Sequence, residues 1–453
     1  MLIRIVIRNV LSFNEEIDFN LLPSPRYSRL SHHKNKVSNI HVLKLSAIYG
    51  ANGAGKSNLI KATNYLKNIV TTGEIPIEFT NSKFKLSGKS EDKSQILGIE
   101  FFVNKTIYKY AIETNNGQVL TEELYRTGRS ENDDELIFER KTDLSGKTTV
   151  KFSDEFESEQ ENITLKNVIE KNLSKPDKPI IKLLSELNNN SLSNINEAFD
   201  WFKEDLQVIA PTSKPKALVH MIDLNKKFKE FANDIMCSFG TGIKKLETEK
   251  KTLKEFFGED EKSDEIKEKI KKDPKKYIGL VNSRGEEIVA VRENNEIYIK
   301  RLVLKHEGKD HKHVNFYLEQ ESDGTNRLMD YIPAIYQIIN ERKVFLIDEI
   351  ERSIHPLLIK ELLKKFSEDP VTKGQLVFTT HESNLLDQDI LRQDEIWFIE
   401  KDQLGSSDMY PLSEFKQHHT KDIRKGYLNG RYGAIPFLGN LKDLKWTGHA
   451  PSQ

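Results

Sequence analysis

Cysteine is almost absent: Cys237 is the single one in 453 residues. One thiol excludes an intramolecular disulfide framework and any cysteine-rich zinc site, and it fits a reducing compartment. Long apolar runs are missing as well, since no stretch approaches 18 consecutive apolar residues. The opening MLIRIVIRNVLSFNEEIDF alternates apolar and polar like a strand, which is neither a signal peptide nor a membrane span. Nor is there a surplus of charge of one sign. Sixty-nine basic residues stand against 70 acidic ones, a net charge of −1. A globally basic nucleic-acid binder is therefore not indicated, although local patches stay open. The expectation is a soluble, cytoplasmic protein with no membrane partner.

The chain has room for two to four domains on its length. It is 37% hydrophobic and 31% charged, enough for a core beneath a highly charged surface. LIRIVIRN (2–9) alternates with period two and reads as a strand. LKLSAIYG is a buried strand. ILGIEFFV (96–103) and TIYKYAIE (106–113) flank Asn104-Lys105 as a hairpin, and VLTEELYRT continues the meander. From about 153 to 275 helical spacing takes over, and KKLETEKKTLKEFFGEDEKS and DEIKEKIKKDPKK carry mixed Glu and Lys that read as solvated helix faces. A short helical hairpin fits there; a long coiled coil does not, because sustained heptads are missing. The lysine-rich run 262–276 is either a solvent-facing helix end or a nucleic-acid or partner patch. Residues 277–318 return to strands, with a turn at Asn282-Ser283-Arg284-Gly285. A helix (RLMDYIPAIYQIINE), the strand KVFLIDE, a helix through PLLIKELLKKFSE, and strands in QLVFTTH and EIWFIEK follow.

Gly50-Ala51-Asn52-Gly53-Ala54-Gly55-Lys56-Ser57 fits G-x-x-x-x-G-K-[ST] between a strand and a helix. Such a loop wraps a phosphate chain with inward-pointing N–H groups. Its lysine reaches the β/γ-phosphates, its Ser hydroxyl ligates Mg²⁺, and the following helix adds its positive end. Asn52, Gly53, Ala54, Gly55, Lys56 and Ser57 are thus candidate ATP ligands, with Ser57 also a Mg²⁺ ligand.

Val344–Glu349 is an apolar strand ending in two carboxylates. Asp348 stands where a P-loop NTPase holds Mg²⁺, and Glu349 where a general base can polarise water. QLVFTT ends in His381, an imidazole able to bond a γ-phosphate and sense it. Ser322, Gly324 and Thr325 open a helix ahead of the Asp-Glu strand and form a second anion-binding helix start. His306, His311 and His313 lack the carboxylate or cysteine that would complete a metal site, and read as surface histidines between two strands. His32-His33 read as part of a polar loop.

On these segments the chain resembles ABC-type ATPases of the SMC/RecF/OLD-like branch. Gly50–Ser57 is similar to their Walker A, Glu321–Thr325 to a diverged signature motif, and Val344–Glu349 to Walker B with the catalytic glutamate. Ser353-Ile354-His355-Pro356 is similar to the D-loop, His381 to the switch histidine, and Arg8-Asn9 with Leu11-Ser12-Phe13 to the opening motif. No clear glutamine-loop residue stands out; Gln95 and Gln118 are the candidates. The implied fold class is α/β: an ABC-type P-loop head with a mixed sheet, an antiparallel β subdomain and an inserted helical subdomain. The expected division is 1–150, 151–275 and 276–453. Within the branch the chain is similar to AAA15-type anti-phage ATPases, namely the AriA subunit of PARIS, the AbiL first component and, more distantly, PtuA of Septu. Glu395–Lys401 and Tyr427–Pro436 resemble that group's tail.

The resemblance implies an ATP-hydrolysing subunit whose Ser322 and Gly324 cover the nucleotide of a second copy. The result is a nucleotide-sandwich homodimer, with higher oligomers open. It also implies a separate toxic effector, a TOPRIM-type nuclease, and a phage-encoded trigger, because the tail after His381 holds no nuclease motif. The insertion is the candidate trigger or effector surface. Two alternatives stand: a DNA-binding repair ATPase of RecF/SMC type, and a slow ATPase using nucleotide as structural glue. A transporter subunit is disfavoured by the long separation of Ser57 from Ser322 and the lack of a membrane-coupling element.

Overall fold

A computed structural model describes residues 1–88, 93–128, 133–215, 218–258, 266–270, 277–281, 287–293, 296–415 and 422–435. The chain divides into two compact units. The first is Met1–Ala210 with Arg342–Ile350 and Leu363–Gln453; the second is Pro211–Glu341 with Glu351–Leu362.

The first unit begins with β1 (Leu2–Arg8) and β2 (Ile17–Asn20), then a small hairpin of β3 (Lys34–Val37) and β4 (Ile40–Leu43), then β5 (Leu45–Gly50). The phosphate loop follows β5 and opens the helix Lys56–Thr72. A meander of β6 (Gln95–Val103), β7 (Thr106–Asn115), β8 (Gln118–Arg126), β9 (Glu135–Thr142) and β10 (Thr148–Phe152) comes next. It joins β1 and β2 in a seven-stranded sheet of order β10-β9-β8-β7-β6-β1-β2, antiparallel throughout. The alternation read in β1 is realised from Ile3 onward: Ile3, Ile5 and Ile7 are buried while Arg4, Val6 and Arg8 are half-buried on the other face, and a register shift between Leu2 and Arg4 lets Leu2 be buried too. Asn104 and Lys105 both have positive φ, 44° and 76°, the two-residue turn whose twist suits a hairpin.

A second sheet contains β5, the strand that leads into the phosphate loop. It has the order β11-β17-β18-β5-β19-β20, built from β11 (Leu206–Ile209), β17 (Val344–Ile347), β18 (Gln375–Thr380), β19 (Ile396–Lys401) and β20 (Ser407–Pro411). All neighbours are parallel except β19 and β20. Every residue of β5, β17 and β18 is buried, as expected of a parallel sheet covered on both faces. Parallel order also brings the C-terminal ends of β5, β17 and β18 to one edge, where open α/β sheets bind ligands.

The region read as a helical insertion is divided differently. Its first part does form short helices, at Gln160–Val168, Ile181–Ser185 and Ser193–Asp200, but these belong to the first unit. Ile181, Leu184, Ile195, Trp201 and Phe202 share one core with Leu2 and Phe101, and Trp201 stacks on Phe101 at 4.1 Å. Glu122, fully buried on β8, anchors this region. Its carboxylate accepts the N–H groups of Ile180 and Ile181 at 2.7 and 3.0 Å and the Tyr110 hydroxyl at 3.0 Å.

The second unit is a sheet of β12 (Ile243–Thr252), β13 (Tyr277–Val281), β14 (Glu287–Glu293) and β15 (Glu296–Glu307), with β16 (His313–Phe316) on β15. The helices Lys226–Ser238 and Asp323–Asn340 belong to the same unit. KKLETEKKT, the first part of KKLETEKKTLKEFFGEDEKS, was expected to be helical and lies in the strand β12. Its charges pair along the strand and across the sheet instead of along a helix: Glu247 with Lys245 on β12 and with Lys305 on β15, and Glu249 with Arg301 opposite. The expected turn 282–285 lies outside the described residues. So does most of the lysine-rich run, of which 266–270 is helical. Among the described residues no helix is long and apolar enough to cross a membrane.

His33 also departs from the polar-loop reading. It is buried, with Nδ1 2.9 Å from the buried Glu395 carboxylate. The backbone of Arg392 bonds the same carboxylate, and its guanidinium bonds Asp394. Burial pushes His33 down to about 4 and Glu395 well up from the usual carboxylate range. The pair is part of the core.

Candidate active site

The phosphate loop leaves β5 with its backbone packed too tightly for side chains at two glycines. A Cβ on Gly50 would sit 2.5 Å from the Ile399 carbonyl of β19. One on Gly55 would collide with the Ser407 hydroxyl and lie 2.8 Å from that of Ser12. Gly55 also has φ 122° and Gly53 φ 76°, conformations that glycine adopts without penalty. Behind the loop, Ser407 Oγ donates to the Ala54 carbonyl at 2.5 Å and lies 2.7 Å from Ser12 Oγ, while Asn58 Nδ2 donates to Ser12 Oγ at 2.8 Å. Ser12 comes from the Leu11-Ser12-Phe13 motif and Ser407 from β20, so two distant segments brace the turn from outside.

Asn52 and Gly53 are exposed at the loop tip, Ala54, Gly55 and Lys56 are buried, and Ser57 is exposed. Lys56 Nζ donates to the carbonyls of Gly50 at 2.8 Å and Ala51 at 3.1 Å, and lies 3.3 Å from His381 Nδ1. The lysine and the histidine were read from opposite ends of the sequence; β5 and β18 are neighbours, and their ends bring them together. Phosphate oxygens are stronger partners for an ammonium than peptide carbonyls, so an incoming triphosphate can take over these bonds.

Ser57 Oγ donates to Asp348 Oδ1 at 3.0 Å. Two oxygens bound side by side on an octahedral Mg²⁺ with bonds near 2.1 Å also lie about 3 Å apart. The hydroxyl and carboxylate are of the hard oxygen type that Mg²⁺ prefers, so the residues fit the ion. Asp348 is buried, its N–H bonding the Ile209 carbonyl of β11 at 2.9 Å. Thr379, wholly buried near the end of β18, holds both acidic positions: its hydroxyl donates to Asp348 Oδ1 at 2.6 Å and accepts the Glu349 N–H at 2.8 Å. Glu349 sits at φ 51°, left-handed backbone that is uncommon outside glycine and clusters at functional sites.

On the second unit, Ser322 caps the helix Asp323–Asn340. Its hydroxyl accepts the Thr325 N–H at 3.1 Å and lies 3.0 Å from Thr325 Oγ1. A Cβ on Gly324 would stand 2.6 Å from the Ser353 carbonyl, so the D-loop-like segment packs on the helix start. Ser322 is exposed, Gly324 half-buried and Thr325 buried. His306 bonds Glu321, immediately before the cap, at 2.6 Å, so it is a paired histidine and not a loose surface one. Among the described residues no group of three or more possible ligands forms a metal site of the His/Cys/Asp/Glu kind.

Neither glutamine candidate touches this constellation in any hydrogen bond described. Gln95 is buried and donates to the Phe79 carbonyl and Ser82 Oγ, and Gln118 is exposed at the start of β8. Thr379 and Ser407 were missed from sequence, and Ser12 was read only as part of the opening motif, with no role at the loop. Thr379 had a signal in its position two residues before His381; Ser407 had none.

No curated protein matches the chain. Among the solved structures that match, three align at 12% identity. An Smc head bound to the C-winged helix domain of ScpA covers 90% of this chain and 97% of its own, with a TM-score of 0.42. The SMC head domain from Thermotoga maritima covers 90% and 98%, with 0.38. An Smc head domain with an extended coiled coil, bound to the C-terminal domain of ScpA and derived from Pyrococcus furiosus, covers 90% and 96%, with 0.43. At these scores the likeness is too coarse to carry any residue's role across. The family described as "AAA domain, putative AbiEii toxin, Type IV TA system" matches residues 45–387, a span that holds the phosphate loop, Asp348-Glu349 and His381. That is most of the chain, and the protein belongs to this AAA-domain family.

Proposed function

We propose that this protein is an ATP-hydrolysing sensor or scaffold of a cytoplasmic anti-phage system, working as a nucleotide-sandwich dimer that restrains and then releases or activates a separate toxic effector. The observation that carries the ATPase part is the Ser57–Asp348–Thr379–Glu349 chain of hydrogen bonds at the sheet edge. Lys56 exchanges its loop carbonyls for β/γ-phosphate oxygens, and the loop N–H groups wrap the phosphates. Mg²⁺ held by Ser57 and Asp348 would supply charge neutralisation on the phosphates. Glu349 polarises the attacking water, and His381 bonds the γ-phosphate when it is present.

The exposed Ser322 cap and the start of its helix are suited to binding an anion. In the proposed dimer they close over the triphosphate on the other copy's Lys56. Closing needs only a difference in binding free energy between open and closed assemblies. The family description, which names a toxin of a type IV TA system, supports a role beside a second protein. A TOPRIM-type nuclease as effector, a phage-encoded trigger, and the charged sheet of the second unit as their surface complete the proposal.

The test is Glu349→Gln with ATP and Mg²⁺, read by light scattering on a sizing column and by phosphate release. The expected result is a stable dimer with trapped ATP and hydrolysis reduced at least a hundredfold. A variant that stays monomeric with ATP bound would sink the sandwich. Duplex DNA that stimulates the wild type, with affinity falling steeply as salt rises, would favour the repair reading instead. Unchanged oligomers and turnover would leave nucleotide as glue.

A further inference from the structure

The seven-stranded sheet has a second face that the ATP chemistry does not use. Across it runs one row of opposed residues: Asp18, Val6, Gly98, Ala111 and Glu123, one from each of β2, β1, β6, β7 and β8. The three central side chains are small or absent. The rows on either side, Arg4–Glu100–Lys109 and Arg8–Ile96–Glu113, are long. The result is a trough of about 560 Å³ that crosses the strands, floored by Val6, Gly98 and Ala111.

Its electrostatics are one-sided. Glu16, Asp18, Glu100, Glu123 and Asp134 line it, against the cations Arg4 and Lys109, in a chain whose overall charge is −1. Arg4 is already shared between Asp18 at 3.5 Å and Glu100 at 3.8 Å. Glu16 lies towards one end, and Glu123 and Asp134 lie at the other. Burial pushes Glu100 and Glu123 up from the usual carboxylate range, so both ionised groups stand to gain from a further cation. Phosphate backbones and acidic proteins are repelled by such a surface.

We infer that this trough docks a basic, extended segment of a partner protein, with small apolar residues over Gly98 and Ala111 and a Lys or Arg at each end. The dimensions favour an extended chain. Four strand spacings separate β2 from β8, about 19 Å, which about six extended residues span. The flanking rows stand about 13 Å apart before their side-chain widths are subtracted, too narrow for a helix of 10–12 Å diameter. The site lies within the first unit and is independent of the ATPase reading.

The experiment uses the full chain and a fluorescent peptide, Lys-Arg-Ala-Val-Ala-Val-Arg-Lys, read by anisotropy, with a Glu/Asp version as control. Gly98→Leu fills the trough without touching a charge. A Cβ at Gly98 meets Val6 Cβ at 3.5 Å and Ala111 Cβ and the Tyr110 carbonyl at 3.8 Å, ordinary contacts that the fold tolerates. Glu123→Lys reverses one end. Saturable binding of the basic peptide alone, weakened at least tenfold by each variant, is the expected result. Wild type that fails to bind, or Gly98→Leu that binds as wild type, overturns the proposal, since the second outcome leaves only diffuse attraction. Melting curves and nucleotide binding check each preparation, and should Gly98→Leu not fold, Glu123→Lys at wild-type affinity overturns it equally.

Discussion

Replacing Thr379 by Val tests whether one buried hydroxyl holds the two acidic residues of the site in register. Valine keeps the shape and the β-branched preference for a strand, so only the hydroxyl is lost. Two bonds go with it: the 2.6 Å bond to Asp348 Oδ1 and the 2.8 Å bond from the Glu349 N–H. A hydrogen bond to a charged group contributes about 1.5–3 kcal/mol, and an unpaired buried N–H costs about 1–3 kcal/mol. Should the carboxylate term be felt fully in the transition state, hydrolysis falls about 10- to 150-fold, at roughly 1.4 kcal/mol per factor of ten. The N–H term lowers the melting temperature by a few degrees. ATP affinity should change little, because Lys56 and its loop are untouched, while the Mg²⁺ requirement rises as Asp348 loses its brace. Phosphate release, fluorescent-nucleotide binding and thermal melts on Thr379→Val and Thr379→Ser measure all of these, and Ser should restore most of the rate. A folded Thr379→Val that hydrolyses ATP within twofold of wild type refutes the reasoning.

Gly55→Ala forces a side chain into φ 122° and against the Ser407 and Ser12 hydroxyls; a cost of about 1–3 kcal/mol for the backbone alone should abolish nucleotide binding, measured by fluorescence titration. Glu122→Ala strands the Tyr110 hydroxyl and the Ile180 and Ile181 N–H groups and removes the negative charge that acts on the buried Arg140. It should cost about 3–5 kcal/mol, read by chemical denaturation, with Glu122→Gln costing less. In the second unit, bonds from Lys245 and then Lys305 hold Glu247 at about 2, and Lys250 and Lys300 do the same for Glu293. Both lie below the ordinary 4.5, so their stabilisation is fully present above that pH and lost as pH falls towards 2. Circular-dichroism melts across that window should show a loss that salt and Glu247→Gln each diminish.

What was legible in the sequence is what chemistry confines to a short stretch. The phosphate loop, the Asp348-Glu349 strand end and His381 each need particular residues at fixed spacing beside an apolar run, and all three converge. The Asn104-Lys105 hairpin and the buried runs of β5, β17 and β18 were legible for the same local reason. Ser407 was not, because its partner Ala54 is brought to it only by strand order, and Thr379, though marked by its place two residues before His381, meets Asp348 only through the same strand order. Period misled at 243–252, where Lys and Glu recur at spacings that suit a helix face and also a strand facing a charged neighbour. Glu122 reads as a surface carboxylate in an alternating strand. Only its full burial reveals that it ties the following helices to the first unit, which is why the composition change near 153 does not mark a boundary.

The place of β5 in its sheet bears on how the protein is made. The strand that leads into the phosphate loop lies between β18 and β19, and those are synthesised only when the ribosome has reached residues 375–401. At about 5–20 residues per second, nascent β5 waits on the order of tens of seconds for its neighbours, whereas the meander can zip up as it emerges. A copy made only as far as Asp348, just after β17, therefore has Lys56 but neither of the strands that flank β5, and it lacks His381 beside the lysine.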